Sequence, residues 1–336
     1  MRRVRCEPRG PKGRVVAGTA GSSALSDPAR LFDGRLVPHV SRLVSGRVRE
    51  GVLGSSLTTF SVGGPVAALV SVESSEELSA VLGLLHGERQ PVRIIGNGSN
   101  ILVADSGLDE WVVTLGAGFR SVTAEAPGVL RVGGAASLMK LARKVSDEGL
   151  SGLEFAAGIP ASVGGAAFMN AGAHGSEVCE RLERVEGVTR DGVLRVWAKA
   201  ELPWRYRHSG LPAGVVVTSV TFRLQEGDRA AISARCSEHL AERRARQPLS
   251  MPSAGSVFKN PSPEKPAGML IEAAGLKGYR IGGAMVSGLH ANWIVNPERK
   301  ATASDIVALM QECQRRVSES CGVLLEPEVR LWGNAL

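Results

Sequence analysis

Apolar positions along this chain follow two periods. Nearly unbroken apolar runs at 66–72, 91–95, 101–103, 111–115, 129–132 and 215–224 are bounded by Gly, Asn and Pro, which predicts short buried strands. Helical spacing alternates with them. Ser74-x-x-Glu77 reads as a capping box and opens a helix that places Leu78, Val81, Leu82 and Leu85 on one face. Ser137 opens a second helix, with Leu138, Leu141, Ala142 and Val145 on one face and Gly149 as its stop. Residues 228–247 predict a long amphipathic helix ending in Arg243-Arg244-Ala245-Arg246. A short helix follows at 269–274, and a long one at 306–321 with Ser304 as its cap. The runs 185–189 and 193–197 predict a hairpin across Arg190-Asp191-Gly192, where Asp-Gly favours a type I′ turn. Residues 327–332 predict a closing strand.

Taken in order, these elements divide the chain into four parts. Residues 1–49 mix Arg, Gly, Pro and Ser without sustained periodicity. They read as a basic leader, disordered to about residue 38, with a short helix beginning near 39–44. Residues 50–116 form a first α+β subdomain and 117–226 a second. Residues 227–336 read as a C-terminal α/β domain. No internal repeat is present.

Composition narrows the function classes. The net charge of +7 is concentrated at the start. Residues 1–49 hold eleven Lys/Arg against three acids, leaving the other 287 residues at about −1. A nucleic-acid surface on the body is therefore not expected. No apolar run is long enough to span a bilayer. The five cysteines are widely spaced without a C-x-x-C, which argues against a disulfide framework or zinc site and fits a reducing cytoplasm. The six histidines show no metal-ligand spacing, so no metal centre is expected.

Candidate chemistry sits in glycine-rich stretches. The longest runs from Ala157 to Gly175 and includes Gly158, Ser162, Val163, Gly164, Gly165 and Asn170. Glycine admits positive φ and close approach of a ligand to the main chain, and successive N–H groups in such turns form an anion site. The run is neither a G-x-G-x-x-G fingerprint nor a P-loop, and a tight core corner is its other reading. Gly96-Asn97-Gly98-Ser99-Asn100, between two apolar strands, is either a second phosphate-contacting turn or a hairpin loop. Two such turns in adjacent subdomains suit an extended pyrophosphate. Ser253-Ala254-Gly255-Ser256-Val257-Phe258-Lys259-Asn260-Pro261 exposes a serine beside a glycine, but no G-x-S-x-G elbow is present. Ser256 is thus a candidate proton donor rather than a nucleophile. Arg207 can stabilise a carboxylate or enolate. Glu328, flanked by Pro327 and Val329, is a rim residue or a site acid.

In order, these stretches resemble the UDP-N-acetylenolpyruvoylglucosamine reductase family, the UDP-N-acetylmuramate dehydrogenases. The resemblance covers 51–332 and rests on Thr58-Thr59-Phe60 with Gly63-Gly64-Pro65, the 96–100 turn, Gly158 to Gly175, Tyr206-Arg207, Gly255 to Pro261, and Glu326-Pro327-Glu328-Val329. It implies a two-subdomain FAD-binding fold of the vanillyl-alcohol-oxidase type and a C-terminal domain closing over a UDP-sugar. It also implies noncovalent FAD, NADPH as reductant, and a monomeric cytoplasmic enzyme of peptidoglycan precursor synthesis. Carried over by motif, Ser256 would protonate the substrate, and Arg207 and Glu328 would stabilise its enolate. Tyr206, Lys259 and Asn260 would bind substrate, with Asn260 and Lys259 on its diphosphate. The turn Gly96, Asn97, Gly98, Ser99, Asn100 and the segment Ser162 to Gly165 would wrap the FAD. Ala161 and His174 depart from the family's usual Gly and Tyr. The chain passes from Arg207 almost directly to the next strand, as in the shorter family branch without a tyrosine loop. A related FAD-dependent alcohol or hydroxy-acid oxidase is the competing reading. A noncatalytic protein whose leader engages nucleic acid is a third.

Overall fold

The computed structural model describes residues 31–333. The first unit contains α1 (Val37–Leu43), β1 (Val48–Leu53), α2 (Gly54–Leu57), β2 (Pro65–Val72), α3 (Ser75–Gly87), β3 (Val92–Ile95), β4 (Ile101–Val103) and β5 (Leu108–Leu115). Its sheet has the order β1-β2-β5-β3, with β1 antiparallel to β2 and β5 parallel to both its neighbours. Parallel strands need cover on both faces, which explains the unbroken apolar runs. On one face Ala68, Val70, Val72 and Trp111 pack against α1 and α3; on the other lie Leu69, Ile95 and Val112. Ser74 caps α3 by accepting from the Glu77 amide at 3.3 Å. The box is not reciprocal, because the Glu77 carboxylate accepts from the Glu73 amide and from Arg47 instead. Leu78, Val81, Leu82 and Leu85 are all buried, each contributing about 1.5–3 kcal/mol, which holds the helix to its sheet.

The second unit contains β6 (Val122–Ala126), β7 (Val129–Gly133), α4 (Leu138–Asp147), α5 (Val163–Met169), β8 (Leu182–Val188), β9 (Leu194–Ala198) and β10 (Val216–Arg223). Its antiparallel sheet has the order β9-β8-β10-β7-β6. Central β10 is buried from Val216 to Phe222. The β8–β9 hairpin forms as expected, but not through a type I′ turn. The Gly192 amide donates to the Thr189 carbonyl, and Gly192 alone takes positive φ, +85°. That is a tight turn followed by a left-handed glycine, as in a three-residue hairpin loop.

The remainder contains α6 (Arg229–Arg246), α7 (Ala267–Ala273), β11 (Arg280–Ile281), β12 (Ala284–Val286), β13 (Ile294–Val295), α8 (Ala303–Cys321) and β14 (Arg330–Trp332). Strands β11-β12-β13 form a small sheet whose core, with Ile271, Ile306 and Val317, is covered by α7 and α8. The α8 cap is Thr302 rather than Ser304. Thr302 Oγ1 accepts from the Asp305 amide at 3.0 Å, while the Ser304 hydroxyl donates to Asp105.

Two expected boundaries shift. Helix α6 packs on α4 of the second unit, so the C-terminal core begins near Ala254 rather than at 227. Strand β14 leaves that core and pairs in parallel with β4 of the first unit. Part of the segment expected as a basic leader carries regular structure. Residues 31–49 contain α1 and the start of β1, with Val40 and Val44 buried and Phe32 packed on Trp111 at 4.9 Å. The expectation of disorder for 1–30 lies outside the described residues.

Candidate functional site

The 96–100 turn joins strands of different sheets, so it is a crossing and not a hairpin loop. Gly98 takes φ +63°, and a Cβ there would land on the Leu57 carbonyl oxygen. Among the described residues, the amides of Asn97, Gly98, Ser99 and Asn100 donate to nothing in the chain, and Gly98 is buried. A buried N–H left unpaired costs about 1–3 kcal/mol, and a row of them suits a phosphate. This turn therefore fits the pyrophosphate of an FAD. Its side chains tie it to the rest of the site: Asn97 Nδ2 donates to the Pro160 carbonyl, and Asn100 Nδ2 to the Glu328 carbonyl at 3.1 Å. Gly98→Ala is expected to strain the turn by about 1–3 kcal/mol. Purified protein should lose bound flavin and melt at lower temperature. Full flavin retention at an unchanged melting point would remove the turn from the cofactor site.

The longer glycine run behaves differently. Ser162 caps α5, its Oγ accepting from the Gly165 amide at 3.2 Å. The Val163 and Gly164 amides donate to Ala136 and Gly134 carbonyls. All three amides of the first helical turn are thus used inside the chain. The free anion nest expected here is absent, and glycine serves instead for close packing. A Cβ on Gly164 would sit 2.9 Å from the Val217 carbonyl oxygen, and one on Gly96 would sit 2.5 Å from Ser162 Oγ. Gly158, Ser162, Gly164 and Gly165 still line a cavity of about 1240 Å³ shared with the 96–100 turn. That exceeds the roughly 300–1,000 Å³ of ordinary ligand pockets and leaves room for two ligands.

Two expected cofactor residues do not face that cavity. Val163 is core. Asn170 is fully buried in the left-handed conformation at the end of α5, where Asn is tolerated. Its Nδ2 donates to Glu177 and to the Arg205 carbonyl at 3.0 Å, and its Oδ1 accepts from the Cys179 amide. Asn170 thus anchors the turn in which Arg205 and His208 exchange backbone hydrogen bonds. That turn holds Arg207 at φ +58°.

Arg207, Glu328 and Ser256 all line the large cavity. Arg207 Nε donates to Glu328 Oε1 at 2.6 Å, and both side chains are largely buried, at 17% and 13% exposure. Glu328 Oε2 is buried without a partner. Burial pushes the Glu328 carboxyl above its ordinary value, and the Arg207 charge opposes that shift without cancelling it. Ser256 is held beside this pair by backbone pairing: the Glu328 amide donates to the Val257 carbonyl at 2.8 Å, and the Lys259 amide to that of Glu326. Among the described residues the Ser256 hydroxyl has no hydrogen-bond partner.

The expected substrate residues lie at the edges. Tyr206 is exposed, with the Arg207 guanidinium carbon 4.7 Å from its ring centre. Lys259 is paired with Glu326. Asn260 Oδ1 accepts from the Ala267 amide at 3.0 Å at the start of α7. Asn260 also lines a second cavity of about 310 Å³, which shares Ser256 with the first and reaches Glu272 and His290.

Arg243 and Gln247, at the end of α6, also line the large cavity. The basic run there reads from sequence as a solvated helix end. Yet Arg243 Nε and Gln247 Oε1 are buried without partners, and burial lowers the Arg243 guanidinium to about 10. A Cβ on Gly158 would collide with the Arg243 side chain, so that glycine makes room for it. Arg330 is likewise lowered by burial and lies 5.4 Å from the Phe168 ring centre.

Comparison with known proteins matches this arrangement in two blocks. Residues 65–197 match the profile of an FAD binding domain. Residues 247–332 match the profile of the UDP-N-acetylenolpyruvoylglucosamine reductase C-terminal domain. The UDP-N-acetylenolpyruvoylglucosamine reductase of Myxococcus xanthus is 44% identical over 304 residues, 90% of this chain and 97% of that protein. Reductase 2 of Symbiobacterium thermophilum is 43% identical over 290 residues, 86% of this chain and 93% of its own length. A crystal structure of UDP-N-acetylenolpyruvylglucosamine reductase from Thermus caldophilus superposes with a TM-score of 0.74 at 40% identity, covering 85% of this chain and 100% of that one.

Proposed function

This chain belongs to the UDP-N-acetylenolpyruvoylglucosamine reductase family, and from that premise we propose how its own residues carry out the family's reaction. It is an FAD-dependent oxidoreductase that reduces the enolpyruvyl group of UDP-N-acetylglucosamine enolpyruvate with NADPH, in peptidoglycan synthesis. The 96–100 amides would hold the pyrophosphate of FAD, which when bound would supply the hydride.

The observation that supports the residue assignment is that the buried Arg207–Glu328 pair and the unpartnered Ser256 hydroxyl line the same cavity. Hydride addition to the outer vinyl carbon leaves negative charge on the neighbouring carbon and its carboxylate. Arg207 stabilises that charge with a planar cation. The raised Glu328 carboxyl is positioned to donate a hydrogen bond to the same enolate when protonated. Ser256 gives its proton to the carbon. Arg243 faces the cavity as a buried cation without a partner for its Nε, a suitable counter-charge for the diphosphate of the UDP-sugar. Lys259 already has Glu326. No described helix is long and apolar enough to cross a membrane.

Purified protein should be yellow and should oxidise NADPH rapidly only when the enolpyruvyl sugar nucleotide is added. Flavin reduction by a simple alcohol or hydroxy acid, with no response to NADPH, would favour the oxidase reading instead.

A further inference from the structure

We propose that His174, His239 and Glu242 bind a divalent transition-metal ion of the zinc class at the rim of the large cavity. Their donor atoms lie within 4.8 Å of one another. His174 comes from the loop after α5 and lines the cavity. His239 and Glu242 are three residues apart on α6, the spacing that puts two side chains on one helical face. His174 Nδ1 and Glu242 Oε2 are 3.3 Å apart. That separation equals the edge of a tetrahedron with bonds of about 2.0–2.2 Å, the distances zinc makes to imidazole nitrogen and carboxylate oxygen. The two imidazole rings stack with centroids 4.0 Å apart. Because the ring planes are only 23° apart and imidazole lone pairs lie in plane, one ring must turn out of the stack for both to meet one ion.

The chemistry of the set suits a metal. Two imidazoles and one carboxylate make a three-ligand zinc set that keeps a fourth position for water. The cations facing the site are Arg243 and Arg246. Arg246 pairs with Glu242 Oε1 at 3.0 Å, leaving Oε2 directed at His174. The sequence showed no metal spacing because the ligands come from two segments 65 positions apart, and only the fold joins them. A bound ion would link the loop after α5 to the helix that carries Arg243 and Gln247 into the cavity wall. This proposal is independent of the roles assigned to Ser256, Arg207 and Glu328.

The test uses flavin-loaded full-length protein dialysed against a chelator. Zn²⁺ is titrated by calorimetry, and Co²⁺ by its d–d absorption to the red of the flavin bands. One ion per chain is expected, with a melting temperature that rises with free Zn²⁺. His239→Ala and Glu242→Gln should each weaken binding by roughly tenfold or more. An unchanged flavin spectrum in each variant verifies the fold. Failure of the wild-type protein to bind overturns the site. So does unchanged affinity in both variants, which would place the ion elsewhere, as on the thiols of Cys179 or Cys236.

Discussion

Ser256→Ala is expected to separate the two half-reactions. Flavin reduction by NADPH should proceed at the wild-type rate, while reoxidation by the enolpyruvyl sugar nucleotide should slow by about 10²–10⁴, the usual weight of a positioned proton donor. The geometry makes this variant informative. The Ser256 hydroxyl holds up nothing in the described structure, since its hydrogen bonds are not used by neighbouring residues. Its backbone is fixed instead by the pairing of Val257 with Asn292 and Glu328, which alanine leaves intact. Stopped-flow absorbance of the flavin reads each half separately. An equal fall in both halves would mean that the substitution disturbed the cavity as a whole, and Ser256 would lose its role as the donor.

Much of this site was legible because its chemistry is local. The 96–100 turn needs glycine at a positive φ, and that requirement is written in five consecutive residues. The buried strands announced themselves as apolar runs. What escaped was the identity of partners. Asn170 looked like a ligand for the cofactor because it is a polar residue in a glycine-rich run, yet it bonds to Glu177, Cys179 and Arg205 and so aims the turn that carries Arg207. Lys259 reads from its motif as a ligand for the diphosphate, but the backbone pairing of 257–259 with 326–328 brings Glu326 beside it. Arg243 looked solvated because charge runs at helix ends usually are. It is not, because α6 lies on α4 and its last turns meet the cavity. A periodic pattern specifies which face of a helix is apolar. It does not specify what a polar side chain at the helix end will meet.

The same distinction between face and partner bears on α5. From sequence alone its glycines suggest donors to a phosphate. The Gly164 and Gly165 amides instead donate to the Gly134 carbonyl and to Ser162 Oγ, and the missing Gly164 side chain lets α5 pack against β10. Two runs of similar composition thus do different work. Both bring backbone close to backbone, but the amides of 97–100 stay free whereas those of 163–165 are consumed inside the chain. The difference lies in whether the run opens a helix within reach of a neighbouring chain segment, which no window of sequence displays.

Arg207→Met is expected to reduce the rate of the sugar half-reaction by about 10²–10³, the loss typical of removing one donor to a developing oxyanion. Its effect on stability should depend on pH, and the sign follows from Glu328. Burial already raises that carboxyl in the folded state. A raised carboxyl contributes stability that is fully present below its unfolded value of about 4.3 and is lost as pH rises through the folded value. Without Arg207 the opposing charge is gone, so the folded value climbs further and the loss continues to higher pH. Thermal midpoints measured from acid to neutral pH should therefore diverge, with Arg207→Met falling increasingly below wild type as pH rises. Removing one partner of a buried pair can cost about 3–5 kcal/mol where the survivor cannot neutralise. Here protonation limits that cost at the acid end. In the Arg207→Met/Glu328→Gln double variant the pH-dependent part should vanish, because glutamine does not ionise. Glutamine can also still donate a hydrogen bond, so Glu328→Gln should retain more activity than Glu328→Ala if Glu328 acts as a donor. Parallel melting profiles for wild type and Arg207→Met would mean that the 2.6 Å contact does not set the state of the carboxyl. Equal activity of the Gln and Ala variants would leave charge alone, without hydrogen-bond donation, as what Glu328 contributes.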